Sequence, residues 1–173
     1  FATASLYHYQ IENLIDQRTD PADNLLVYSN LDKARATGLE LELDGKTEKG
    51  YEGRASIAYQ QNTSSTTGAM LTNSPRAQAK LNLIAPLAAE RLFCGLEMRY
   101  ATRRKTIQGD FADAALVTNL TLFNRSAHKD VKLSASIYNL FGRKYYDPGG
   151  TEHVQDRIEQ DGRLFRLKAE SSF

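Results

Sequence analysis

The chain has one cysteine, no long apolar run and almost no excess of charge, and each of these absences removes a class of protein. Cys94 stands alone, so an internal disulfide and a multi-cysteine metal site are both excluded. No apolar stretch approaches the roughly 20 residues that a membrane-crossing helix needs. Net charge is +1, from 22 basic and 21 acidic residues mixed along the chain, which gives no electrostatic case for nucleic acid. Phe1 to Tyr7 is already strand-like, so a targeting segment is expected to have been removed or to lie upstream, and the chain is expected to be a fragment. Its 173 residues suffice for one domain. A mean hydropathy of -0.50 looks soluble, but a barrel wall escapes that test because only alternate residues face lipid.

What is present is alternation. From Gly162 to Phe173 one parity reads Phe165, Leu167, Ala169, Ser171, Phe173 and the other Leu164, Arg166, Lys168, Glu170, Ser172. A period of two with charge on one side is a strand signal. Soluble domains often finish in a polar tail, whereas this chain keeps an aromatic in strand phase to its final residue. The same signal recurs, giving eight strands near Phe1–Ile15, Leu26–Leu43, Tyr51–Asn62, Arg76–Ala85, Arg91–Lys105, Ala115–Arg125, Val131–Tyr146 and Gly162–Phe173. In the second, Leu39, Leu41 and Leu43 alternate with Glu40, Glu42 and Asp44; in the fourth, Ala79, Leu81 and Leu83 alternate with Gln78, Lys80 and Asn82.

The connections alternate too. Short links at 44–50, 86–90 and 126–130 are interleaved with longer ones at 17–25, 63–75, 106–114 and 147–160, which carry Pro, Gly, Asn, Asp and Thr. Short periplasmic turns and long extracellular loops are the pattern of an outer-membrane barrel, with both chain ends on the short-turn side. Tyr51 and Tyr59 bracket Gly53, Ala55 and Ile57 on one parity, and Leu92 to Tyr100 makes a second such stripe. Eight residues at roughly 3.3 Å each, tilted by about 40°, rise roughly 20 Å, close to the apolar band of about 25 Å between aromatic girdles. A β-sandwich with these aromatics on its inward faces fits less well the opposite faces, where Glu97, Arg99, Arg166, Lys168 and Glu170 sit in mid-strand; a polar lumen accepts them.

Three motifs carry a family resemblance. Asn139-Leu140-Phe141-Gly142-Arg143-Lys144-Tyr145-Tyr146-Asp147-Pro148, followed by Gln155-Asp156-Arg157-Ile158 and Asp161-Gly162-Arg163, resembles the carboxy-terminal region of TonB-dependent outer-membrane receptors. Ser29 to Glu42, with Asn30, Ala34-Arg35 and Gly38-Leu39-Glu40, resembles another strand of that family, and Asn73-Ser74-Pro75-Arg76 is a third match. Each motif is weak alone; their order and their agreement with the eight strands make the resemblance specific. It implies an all-β antiparallel meander of eight transmembrane strands, the last of a barrel of about 22 strands that is normally plugged. Residues 1–173 then form one barrel fragment with the plug domain absent, part of a receptor importing ferric siderophores or a similar scarce nutrient. Implied partners are outer-membrane lipid and lipopolysaccharide, the remainder of the barrel and its plug, TonB through a missing amino-terminal part, and the barrel-assembly machinery, which would recognise Phe173.

Individual residues also have local readings. Asn139 and Gly142 tolerate positive φ and suit a bend or bulge. Tyr145 and Tyr146 suit the outer girdle, Phe165 and Phe173 the aromatic stripe of the last strand. Arg99, Arg103, Arg104 and Lys105 form the one basic cluster, at the outer end of the fifth strand, where it meets lipopolysaccharide phosphates or attracts an anionic ferric chelate. His8, His128 and His153 are too scattered for a metal site. Glu152, Asp156, Glu159 and Asp161 lack calcium-loop spacing and are interspersed with Arg157. No phosphate loop or nucleophile–base arrangement is present, so neither an enzyme nor a cofactor is expected. The competing reading is a self-closed eight-stranded membrane barrel serving as an anchor or adhesion scaffold. The two diverge at the edges: receptor strands form an open, curved sheet, whereas a small barrel joins its first strand to its last.

Overall fold

A computed structural model describes residues 1–88, 91–125 and 131–171. Every regular element in it is a β-strand: β1 (Ala2–Thr19), β2 (Leu26–Lys46), β3 (Glu52–Ser64), β4 (Ala77–Ala88), β5 (Leu92–Ala101), β6 (Arg104–Lys105), β7 (Phe111–Ala112), β8 (Ala115–Asn124), β9 (Val131–Tyr138), β10 (Tyr146–Pro148), β11 (Arg157–Glu159) and β12 (Leu164–Ser171). Eight of them make one sheet in the order β1-β2-β3-β4-β5-β8-β9-β12, each antiparallel to its neighbour. This is the expected meander. Among the described residues no ladder joins β1 to β12.

Register turns the alternation of single strands into two continuous faces. Across the sheet, Leu41 lies opposite Ile57, Ile57 opposite Ala79, Leu81 opposite Met98, Leu96 opposite Leu120, Leu120 opposite Ile137, and Ile137 opposite Phe165. The other face aligns Glu42 with Ser56, Ser56 with Lys80, Lys80 with Arg99, and Glu97 with Asn119. Lys132, Arg166 and Lys168 share that polar parity. A one-residue slip would exchange the two faces, so the pattern itself fixes the register. The apolar face is bare: Leu6 is 83% exposed, Leu167 86% and Phe165 68%. An apolar surface of this extent is a surface for lipid, not water. It turns polar at one level, where His8, Thr37 and Gln61 align directly above Leu6, Leu39 and Tyr59. His8 Nδ1 lies 2.7 Å from Thr37 Oγ1 there.

Two strands stop earlier than the sequence pattern suggests. The expected fifth strand to Lys105 ends at Ala101, and the expected seventh strand to Tyr146 ends at Tyr138. Thr102 closes β5: its Oγ1 accepts the amide of Ala77 at 3.1 Å, so its side chain replaces a ladder bond. Beyond it β6 and β7 form a separate two-stranded ribbon, as do β10 and β11. Asn139 closes β9. It adopts a left-handed φ of 48°, and its Oδ1 accepts the Arg143 amide at 2.9 Å. Its Nδ2 donates to Arg143 O at 2.8 Å and Asp161 O at 3.2 Å, clamping both stems of the 139–163 loop. Asn tolerates that backbone state better than other side-bearing residues, and Gly142 follows at φ 61°. Conversely β1 and β2 run past their expected ends to Thr19 and Lys46, and their outer halves pair only with each other.

Within the sheet, burial falls mostly on the polar face, with Thr118, opposite Met98, buried on the other. At the loop end Ala34, Ala36, Gly38 and Ser64 are covered, and a Cβ at Gly38 would collide with the Tyr7 ring and sit 2.9 Å from Tyr59 O. At the short-turn end Phe93, 4% exposed, stacks on Phe123 with ring centroids 5.6 Å apart. Arg125 lies over Phe93 at 4.5 Å and bonds Glu52 at 3.0 Å, while Lys46 reaches the same carboxylate at 3.0 Å. The sequence reading did not anticipate an aromatic pair on the polar face. Phe173 and Ser172, the short link 126–130 with His128, and residues 89–90 lie outside the described residues, so Phe173's girdle and assembly role falls there too.

Candidate functional site

The polar face is a ladder of balanced charge. Arg54 Nε bonds Asp44 at 2.7 Å and lies 3.7 Å from Glu42; Arg99 Nε lies 3.3 Å from Glu97, and Lys168 Nζ lies 2.6 Å from Glu170. These pairs are exposed and contribute little stability one by one. Their consequence is chemical: the wall presents both signs of charge without a strong net field. Between Thr3, Ser5, Glu40, Glu42, Gln78 and Lys80 it leaves a cavity of about 360 Å³.

Above this wall the two loop ribbons are tied to each other. Arg104 in β6 donates through Nη2 to Tyr146 O at 3.0 Å and Asp147 Oδ1 at 2.6 Å, both in β10. Arg157 Nη2 lies 3.7 Å from Asp110, and Asp156 Oδ1 accepts the Gln108 amide at 3.1 Å. The 65–76 loop joins through the Asn73 amide, which donates to Lys105 O at 2.9 Å. Thr151 hydroxyl donates to Gln17 at the far end of β1. Three loops and the outer end of β1 thus form one hydrogen-bonded assembly at the loop end of the sheet.

The basic cluster expected from sequence is divided. Arg99 belongs to the strand wall and pairs with Glu97, and Arg104, with its side chain 15% exposed, is committed to Asp147. Arg103 lies over the Phe111 ring at 4.5 Å and forms no ion pair with a described residue. Lys105 meets the 65–76 loop through its backbone. Arg103 instead shares a cavity of about 620 Å³ with Arg76, which also has no ion pair among the described residues. Tyr100, Thr102, Phe111 and Asp113 line the same space. Arg76 carried a signal in sequence, as the residue that enters a strand after Asn73-Ser74-Pro75, but only the register brings it beside Arg103. Tyr145 and Tyr146 lie beyond the end of β9, in and beside the β10 ribbon, where Tyr145 O accepts the Gln160 amide at 3.0 Å. Phe165 is on the bare apolar face. His8 and His153 are in β1 and the 139–163 loop respectively, and the described residues hold no group of three His, Cys, Asp or Glu placed for a metal.

An antiparallel meander with one lipid-compatible face, one charged face, short turns at one end and interlocked loops at the other is the wall of an outer-membrane β-barrel. A family model described as TonB dependent receptor-like, beta-barrel matches residues 1–140, and the chain belongs to that family. The family is one of outer-membrane receptors and transporters of Gram-negative bacteria. Among solved structures the chain is similar to the copper transporter OprC, at 23% identity and a TM-score of 0.77, covering 99% of this chain and 29% of that one. It is also similar to BauA, the ferric preacinetobactin receptor from Acinetobacter baumannii, at 15% identity and a TM-score of 0.75, covering 97% and 26%. The siderophore receptor PiuA from the same organism aligns at 20% identity and a TM-score of 0.73, covering 97% and 25%. No curated protein sequence matches the chain. The chain therefore spans less than a third of the length of these structural neighbours.

Proposed function

We propose that the chain is part of the wall of a TonB-dependent receptor that imports a scarce metal as an anionic chelate, with ferric siderophores the foremost class. The observation that carries this reading is the pair Arg76 and Arg103, two guanidinium groups free of ion pairs among the described residues, lining one cavity at the loop end. Delocalised guanidinium groups suit carboxylate, hydroxamate and catecholate oxygens, and the Phe111 ring beneath Arg103 adds an aromatic wall. Arg104, bonded to Asp147, holds the loops that frame the cavity, while Arg99 and Lys105 stand outside its lining. On this reading the chain is no enzyme. Its wall is completed by the remaining strands of a barrel of about 22, a plug fills the lumen, TonB engages an amino-terminal part outside this chain, and the barrel-assembly machinery recognises Phe173. Among the described residues the outer edges of β1 and β12 have no ladder partner, and this and the small share of each neighbour's length support a wall segment over a self-closed anchor.

Uptake by cells provides the test. Deleting the gene should abolish growth on one or more chelates under metal limitation, and Arg76→Gln with Arg103→Gln should slow uptake about tenfold at low salt, with less effect at high salt. Iron-dependent and copper-dependent arms separate the two cargo classes represented among the neighbours. Unchanged growth on every chelate after deletion, or a double variant with wild-type uptake, would reject the reading.

A further inference from the structure

The apolar face is not uniform. Ala135 in β9 sits between Leu122 of β8 and Leu167 of β12 in the lateral register, and between Leu133 and Ile137 along its own strand. A small side chain ringed by four large ones leaves a depression. Two cavities share it: one of about 570 Å³ that includes Leu92, Leu122, Leu133, Ala135, Leu167 and Ala169, and one of about 220 Å³ that includes Leu120, Ala135, Ile137 and Phe165. They have Ala135, Leu122 and Leu167 in common, so they form one trough of two lobes. The larger lobe reaches Leu92 and Asn124, the last row before the short-turn end.

The trough lies over the weakest seam of the wall. Among the described residues the β8–β9 ladder holds four residue pairs, Leu120 to Phe123 with Ile137 to Ser134, against ten between β5 and β8. Asparagine side chains bracket it. Asn124 Oδ1 accepts the Leu133 amide at 2.6 Å and Nδ2 donates to Val131 O at 3.2 Å, while Asn119 Oδ1 accepts the Asn139 amide at 2.9 Å.

We infer that this trough is a binding site for one acyl chain of a glycerophospholipid from the periplasmic leaflet, with Ala135 as its floor. The face is already the lipid interface of an outer-membrane protein, so the occupant is a hydrocarbon chain. The larger lobe is in the periplasmic half and opens toward the short-turn rim, which selects the phospholipid leaflet over lipopolysaccharide. A chain seated there lies along β8, β9 and β12 and adds dispersion contacts where the backbone ladder is shortest. The site is independent of the transported cargo.

The test is lipid retention by the intact protein, extracted from outer membranes in mild detergent and read by native mass spectrometry. Wild type should keep a phospholipid through detergent exchange. Ala135→Leu fills the floor with a residue ordinary for this face, and retention should fall about tenfold, the loss expected when roughly two methylenes give up their seat. Ala79→Leu adds the same side chain to the same face beside Tyr100 and should keep wild-type retention. If Ala135→Leu fails to reach the membrane, Ala169→Leu narrows the same lobe and is read in its place. Equal retention by the trough variant, equal loss in Ala79→Leu, or lipopolysaccharide as the retained lipid would overturn the inference.

Discussion

Replacing Asn139 by alanine should unlock the 139–163 loop while leaving the strands of the wall in place. Asn139 is 3% exposed, so the groups that it satisfies have little access to water in its absence. Three side-chain hydrogen bonds are lost, to Arg143 N, Arg143 O and Asp161 O. At about 1 kcal/mol net for each, and about 1 kcal/mol more for holding alanine at a left-handed φ, the loop loses about 4 kcal/mol. That raises its opening equilibrium by about a thousandfold. Trypsin applied to intact cells should then cut after Arg143, Lys144 or Arg157 under conditions that spare wild type, and hydrogen exchange across the loop should accelerate to match. Asn139→Gly separates the two contributions: it removes the φ cost but not the lost bonds, and should recover about 1 kcal/mol. If Asn139→Ala protects the loop as well as wild type, or if glycine restores full protection, the hydrogen-bond clamp does not hold the loop.

Three further outcomes follow from the packing. Gly38→Ala drives a methyl group into the Tyr7 ring and should cost about 1–3 kcal/mol; the heat-modifiability of the folded band on electrophoresis reports it, and Tyr7→Ala in the same chain should relieve part of the loss. Phe93→Ala empties the stacked pocket under Arg125 and should cost about 3–5 kcal/mol, whereas Phe165→Ala on the lipid side should lower the unfolding midpoint by less than half as much. Arg104→Gln removes the bond between the two ribbons and should cost about 2–3 kcal/mol, less than a fully buried pair because Asp147 is partly exposed; proteolysis of the 102–114 and 139–163 loops should rise together, and a rise in only one would separate them.

Strand number, order and facing were legible in the sequence because period-two patterning and turn chemistry are local properties that the register carries across the sheet. Leu39 with Glu40 and Leu81 with Lys80 stand on the faces their alternation assigns. Strand ends were not legible. Arg104–Lys105 and Tyr146–Pro148 are extended like the strands before them, and the breaks come from the Thr102 bond to Ala77 and the Asn139 clamp, whose bond to Asp161, like that of Thr102, is made with a residue distant in sequence. The Phe93–Phe123 pair was hidden for a different reason: at the short-turn end both parities are apolar, with Leu92 beside Phe93 and Leu122 beside Phe123, so alternation carries no facing signal there. The basic cluster illustrates the limit of reading charge along a chain. Four neighbouring cations looked like one patch, but alternation and the loop ribbon separate them, and the cation that joins Arg103 is Arg76, just before β4.

The claim on which the rest depends is that these eight strands belong to a wider wall. Disulfide trapping in the outer membrane of cells expressing the gene tests it most directly, in a Cys94→Ser background. Cysteines at Ala135 and Leu167, which face each other across β9 and β12, should cross-link and serve as the reference pair. Cysteines placed at Thr3, Ser5 or Tyr7 in β1 against Arg166 or Lys168 in β12 should not cross-link in any combination. Efficient cross-linking of one β1–β12 combination, at the level of the reference pair, would show a self-closed eight-stranded barrel and contradict the account.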